Sequence, residues 1–340
     1  MKMLLGLFLS TMALDVLGST GIGKYASGAI ARECFHVVDE CGSPVADARV
    51  IGGFQIGDGM DDYVAIDGLT DAKGEYVAEG FVKRTLHYQI SREGYYDVED
   101  RIVYGEGKER PSYEDGKWRP FGDVRTITMK RIKRLGSLSV LKGKGSRVGR
   151  WTIPARERWI GFDLEAFDWT APYGSGLNDD VLLFFRSSVR NEYFDFRFSM
   201  DVCFTNNPLA GAYICKKDTG SCLEWSENAD ADRQYLKCFS FVFERKPDGA
   251  RVVDTLDEDS YMVFRTRTKT DEYGNLVSAH YGVISGEWLL GSESMRIGDA
   301  CFNGNVNDLC IEDGYYLRKK VKERNELRWM MDAKNKGCRQ

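Results

Sequence analysis

The sequence predicts a mainly β protein: two antiparallel β-sandwich domains followed by a short C-terminal helix. Three observations predict it. Short alternating segments separated by turn residues fill positions 34 to 132 at the spacing of a sandwich. Longer alternating strands fill the region beyond 151, best seen where Phe194, Phe196, Phe198, Met200, Val202 and Phe204 alternate with Asp195, Arg197, Ser199, Asp201 and Cys203. The 340 residues also exceed the usual size of one domain, so two separate cores are expected.

Composition narrows the class before any motif is considered. With 29% charged and 43% hydrophobic residues the chain has ordinary globular usage, which argues against disorder or a membrane bundle. A net charge of -5 gives no electrostatic reason for nucleic acid to bind, so no nucleic-acid partner is expected. Residues 1–18 read as an export signal: Lys2 supplies the positive start, Met3 to Leu14 the apolar stretch, and Val16-Leu17-Gly18 the small-residue cleavage site. That stretch is too short for a permanent anchor, and no later one approaches the length of a transmembrane helix. The expected location is therefore secreted, periplasmic or at the cell surface, with no transmembrane segment in the mature chain.

Strands of the first domain, 34–133, are expected at Phe35-Asp39, Ala48-Phe54, Tyr63-Leu69, Glu75-Glu79, Leu86-Ser91, Tyr96-Val103 and Val124-Ile132. Three turn motifs punctuate them in order. The first is Val38-Asp39-Glu40-Cys41-Gly42-Ser43-Pro44-Val45-Ala46-Asp47-Ala48-Arg49-Val50. The second is Thr70-Asp71-Ala72-Lys73-Gly74-Glu75-Tyr76, and the third Tyr88-Gln89-Ile90-Ser91-Arg92-Glu93-Gly94-Tyr95. Pro44 presets a turn dihedral, Asp71 accepts hydrogen bonds from turn amides, and Gly74 and Gly94 can take positive φ. Together the three resemble the carboxypeptidase regulatory-like family, a transthyretin-like or Ig-like sandwich. The resemblance implies an accessory, interaction or spacer module and no catalysis. It is interrupted by a polar insertion from Gly105 to Asp123 that carries Tyr113, Trp118 and Pro120.

Residues 134–150 are rich in Gly, Ser and Lys, as suits a linker or an edge segment. The second sandwich-like domain, 151–314, resembles no family that its residues identify. Phe239, Phe241 and Phe243 repeat its alternation, and Val263 to Thr270 with Leu276 to Ile284 read as a long hairpin around Asp271-Glu272-Tyr273-Gly274-Asn275. The tail, 315–340, is basic and expected to be helical, with its charged side solvated.

Nine cysteines in an exported chain make disulfides expected. Cys203 and Cys238 fall on the faces of two strands opposite the phenylalanines, where they can bridge neighbouring strands. Cys215 and Cys222 flank a tight turn, and Cys301 and Cys310 bracket the turn-rich Asn303-Gly304-Asn305. Cys34 and Cys41 flank one extended segment that would hold them about 23 Å apart, so no bridge between them is expected.

Catalytic motifs are weaker. Gly18 to Tyr25 nearly matches a phosphate-binding loop, but Tyr25 replaces the metal-holding hydroxyl and no parallel strand precedes it. The three histidines, His36, His87 and His280, lie too far apart in sequence to share a helical turn, which argues against a hydrolytic zinc site. No cofactor and no resident metal are expected. One acidic constellation remains: on a strand, Asp163 and Glu165 project to one face, and a bulge at Ala166-Phe167 brings Asp168 to it. Its spacing is similar to the catalytic strand of retaining β-glucanases with a sandwich fold, although Asp and Glu are interchanged. That resemblance implies a glycoside hydrolase as an alternative function. Nearby aromatics suggest a different use: Trp159, Trp169 and Tyr173, together with Glu165, can form a platform on which sugar rings stack. The leading expectation is a non-enzymatic exported protein that binds a glycan or protein ligand at the cell surface. A purely structural spacer is the third possibility.

Overall fold

The computed structural model describes residues 28–312 apart from 60–61, 106–111, 142–148, 192, 205–208, 219–220, 222, 224, 258 and 287. The export signal expected over 1–18 and the helix expected over 315–340 lie outside the described residues, as does Cys222. Every regular element among the described residues is a strand, so the fold is mainly β. The chain falls into two units, residues 28–132 and 133–312, with Ser221 grouped with the first.

The first unit contains β1 (Ala29–Asp39), β2 (Arg49–Gln55), β3 (Tyr63–Leu69), β4 (Glu75–Val82), β5 (Thr85–Ser91), β6 (Val98–Val103), β7 (Ser112–Glu114), β8 (Lys117–Arg119) and β9 (Val124–Met129). One antiparallel sheet has the order β3-β2-β5-β6. The other has the order β4-β1-β8-β7, with β9 also on β1. Alternation along β1 turns Ala31, Phe35 and Val37 into a core shared with Val50, Phe54, Leu86 and Tyr88. The long β1 starts earlier than the turn residues suggested, so Cys34 lies inside it, beside Val77 and Val124.

Pairing on the far edge of β1 is parallel, both to β8 and along six residues of β9. The reason is local: β8 and β9 are two pieces of one ascending path on the same edge. The amide of Gly122 donates to the Arg32 carbonyl and the amide of Cys34 to the Asp123 carbonyl, which continue the ladder between the pieces. The described part of the expected polar insertion, 112–123, is thus built into the sandwich. Trp118 on β8 is 1% exposed and donates its indole N–H to the Val82 carbonyl at 3.0 Å.

The second unit contains β10 (Ser139–Leu141), β11 (Arg150–Thr152), β12 (Trp159–Asp163), β13 (Asp168–Trp169), β14 (Val181–Asn191), β15 (Asp195–Phe204) and β16 (Gly211–Lys216). It continues with β17 (Cys238–Arg245), β18 (Arg251–Asp254), β19 (Ser260–Thr270), β20 (Leu276–Ser285), β21 (Leu289–Leu290), β22 (Ser294–Arg296) and β23 (Asp299–Phe302). A six-stranded sheet, β13-β12-β14-β15-β17-β18, and a five-stranded sheet, β10-β23-β20-β19-β16, enclose the core, and β11-β22-β21 form a small third sheet. Phe204 stacks on Phe264, and Phe264 on Phe302. Burial of such side chains contributes about 1.5–3 kcal/mol each. The segment expected as a linker or edge supplies β10 at the edge of the five-stranded sheet.

Cysteine positions follow strand alternation. Cys203 and Cys238 face each other across β15 and β17 and are joined by a disulfide. The expected Cys301–Cys310 bridge does not form. Cys301 sits within the ladder between Val140 and Val283, while the Asn303 side-chain amide closes the turn by donating to the Cys310 carbonyl at 2.8 Å. The Cys215 thiol instead receives a hydrogen bond from the Arg233 guanidinium at 3.0 Å.

Candidate functional site

The acidic segment is a hairpin rather than one bulged strand. β12 ends at Asp163, the chain turns through Phe167 at φ 50°, and Asp168 returns on β13 directly opposite Asp163. A sequence such as Asp-Leu-Glu-Ala-Phe-Asp can do this because aspartate accepts hydrogen bonds from turn amides, which competes with extended pairing. One carboxylate oxygen of Asp163 accepts the amides of Glu165 and Ala166 at 2.9 and 3.0 Å. The other accepts the amides of Leu177 and Asn178, both at 2.9 Å. Asp168 is occupied in the same manner, by the Trp169 amide and by the amide and hydroxyl of Ser175.

A fourth charge completes the arrangement. Arg267 sits on β19 at an irregularity in the register with β20, in the left-handed region at φ 50°. Its guanidinium donates twice to Asp180, at 2.9 Å each, once to Asp163 at 3.1 Å, and once to Glu165. The Phe302 ring lies 4.7 Å from it. The Asp180 side chain is fully buried and also accepts from the Leu164 amide and the Thr266 hydroxyl.

Burial is the largest single influence on the carboxyls of Asp163, Asp168 and Asp180. For Asp180 it wins and raises the pKa above the usual value, despite the opposing pull of Arg267. For Asp163 the four backbone amides together outweigh it and hold the pKa below the usual range. Asp168 is likewise held low, by Ser175 and the Trp169 amide acting against burial. Burial works against the charge on Arg267 as well, but Asp180 and its neighbours raise its pKa further. The geometry is that of a clasp tying the 163–180 segment to β19. General acid–base chemistry needs a carboxyl within reach of a substrate proton, and the lone pairs of Asp163 and Asp168 are committed to the protein's own amides.

The four expected ligand-binding residues are not brought together. Trp169 pairs with the inward-facing Phe162, is 4% exposed, and donates its indole N–H to the Thr152 carbonyl. Trp159 pairs with Phe184 on the opposite face of the same sheet and is 47% exposed. Tyr173 packs partly against the core and its hydroxyl meets Arg158 at 3.3 Å. Glu165 is held in the turn by Arg267. Only Trp159 remains on the solvent face, by strand alternation: Trp169 shares the face of its partner Phe162, which is three positions from Trp159 on β12 and therefore points the other way.

Two groups of residues escaped sequence reasoning. Arg267 and Asp180 form the centre of the clasp; the available signal was an arginine placed within an otherwise buried strand, which demands carboxylate partners. On the solvent side of the six-stranded sheet, Phe184, Arg186, Asp201 and Ser240 line up beside Trp159. Arg186 lies over the Phe184 ring at 4.3 Å and pairs with Asp201 at 2.6 Å, and the Ser240 hydroxyl donates to Asp201 at 2.7 Å.

No protein-family model matches the chain, and no curated protein matches it. Among solved structures it is similar to 3-chlorocatechol 1,2-dioxygenase from Rhodococcus opacus 1CP, with 16% identity and a TM-score of 0.26 over 32% of this chain and 62% of that one. The chain therefore spans less than two thirds of that dioxygenase. It is also similar to the shaft pilin of Lactobacillus rhamnosus GG, at 10% identity and a TM-score of 0.22 over 53% of this chain and 88% of the pilin. The major pilin subunit BcpA of Bacillus cereus matches at 10% identity and a TM-score of 0.23, over 82% and 97% of the two chains. At scores of this size the likenesses assign no activity to the chain.

Proposed function

We propose that this chain is an exported, surface-associated binding protein without an enzymatic centre. The second unit bears the ligand, a glycan or a protein, and the first serves as a carboxypeptidase regulatory-like spacer or docking module. The observation that carries the proposal is the Cys203–Cys238 disulfide, because such bonds persist in oxidising compartments and are rare in the cytosol. It agrees with the export signal expected over residues 1–18. Two further features support the reading. The acidic residues that would serve a hydrolase are engaged in holding a turn. In the first unit, Asp39 accepts the amides of Cys41 and Ser43 ahead of Pro44, and Asp71 those of Lys73 and Glu75, which supports reading both segments as turns.

Fractionation of cells making the full chain, combined with a screen of the purified protein against glycans and surface proteins, tests this. Recovery outside the cytoplasm and binding without turnover are the expected results. Retention in the cytoplasm, or release of reducing sugar that disappears in Glu165→Gln, overturns the proposal.

A further inference from the structure

The solvent-facing side of the six-stranded sheet carries a row of side chains that pair with one another and stay exposed or half-buried. Cross-strand register places Trp159 (β12), Phe184 (β14), Asp201 (β15) and Ser240 (β17) side by side, and Arg186 leans from the next position on β14 to cover Phe184. The ring of Trp159 meets Phe184 edge-on at 5.3 Å, which fixes the indole while leaving it exposed. From Trp159 to Ser240 the row crosses three inter-strand spacings, about 14 Å.

We infer that this row binds a neutral oligosaccharide lying across the strands, with one sugar ring on Trp159 and hydroxyl pairs met by Arg186, Asp201 and Ser240. This rests on the binding reading proposed above and gives it a location and a ligand class. The chemistry is specific. Each Asp201 oxygen takes one internal hydrogen bond and keeps acceptor capacity, Arg186 has five N–H donors, and Ser240 can accept as well as donate. A vicinal diol needs this closely spaced set of donors and acceptors beside an aromatic surface. Charge argues for a neutral sugar: Arg186 is balanced by Asp201, and in the row beyond, Arg197 is balanced by Glu244 at 3.4 Å. A uronic acid or phosphorylated chain would meet no uncompensated cation in either row.

The platform is also preorganised. The Cys203–Cys238 disulfide joins β15 and β17 on this same face, two residues along from Asp201 and Ser240. Side chains fixed in advance lose less freedom on binding, which strengthens affinity without new contacts.

Affinity gel electrophoresis of the full chain through soluble starch, hydroxyethylcellulose, laminarin and glycol chitin, with polygalacturonate as the charged comparison, tests the site. The expected result is retardation by at least one neutral polymer, weakened roughly tenfold in Trp159→Ala as for the loss of an aromatic anchor. Ser240→Ala, which removes an exposed hydroxyl and its surface hydrogen bond to Asp201, weakens it to a smaller extent with the thermal midpoint little changed. Retardation equal in wild type and Trp159→Ala overturns this location and leaves the binding function standing. Retardation by polygalacturonate alone, by no polymer, or capture only by a surface protein overturns the neutral-glycan assignment.

Discussion

Arg267 faces three carboxylates with a single positive charge, so its removal leaves Asp163, Glu165 and Asp180 repelling one another around a largely buried point. Arg267→Met should destabilise the second unit by about 3–5 kcal/mol, as expected when one partner of a buried ion pair is lost. Denaturant titration should find that deficit shrinking in acid, because protonation removes the repulsion only the variant suffers. Glu33 gives a cleaner sign. It is 6% exposed, accepts the Tyr104 hydroxyl at 2.9 Å, and burial raises its carboxyl above the usual value. A raised carboxyl binds its proton more tightly folded than unfolded, so stability falls as pH climbs from the ordinary glutamate range through the folded pKa. Glu33→Gln should therefore raise the thermal midpoint of the first unit at neutral pH, with the gain vanishing below the unfolded pKa. A gain that persists at low pH would mean that packing, not charge, is responsible.

Among the elements, those with strict alternation were legible and those fixed by side-chain capping were not. β15 was readable within one residue because six apolar positions recur with period two, and the same alternation placed Cys203 and Cys238 on the outer face. The hairpin β12–β13 was not readable, because nothing in Asp-Leu-Glu-Ala-Phe-Asp reveals that one carboxylate will collect four amides from two separate segments. Here the local preference of aspartate for turns competed with strand pattern and won. The β7–β8 hairpin failed differently, since its polar surroundings hide one inward tryptophan. Trp118 fills the space beside Tyr104, with ring centroids 5.5 Å apart, and secures β8 to β1. Trp118→Ala should cost about 3–5 kcal/mol, the usual range for deleting a buried aromatic. Urea unfolding measures it; a cost below about 1 kcal/mol would return the segment to the status of a surface insertion.

For the whole molecule, two sandwiches were legible from turn spacing and chain length, but the face proposed to meet a ligand was not, because it depends on register between residues 17 to 39 positions apart in sequence. Trp159 and Trp169 look equivalent in sequence and end on opposite faces of one sheet. The compartment is the property that most constrains function, and the disulfide ties it to a measurement. Closing a 35-residue separation between β15 and β17 restricts the unfolded chain, which the loop-entropy relation puts at about 4 kcal/mol of stabilisation. The double variant Cys203→Ser with Cys238→Ser should lose most of that, whereas wild type treated with reductant should approach the variant. The same bond should appear in a non-reducing proteolytic map of protein recovered from outside the cytoplasm, as a peptide pair joined through Cys203 and Cys238. If both cysteines in that material are instead alkylated before any reduction, the bond contributes nothing to the secreted form. Export would then have no oxidised cysteine pair behind it.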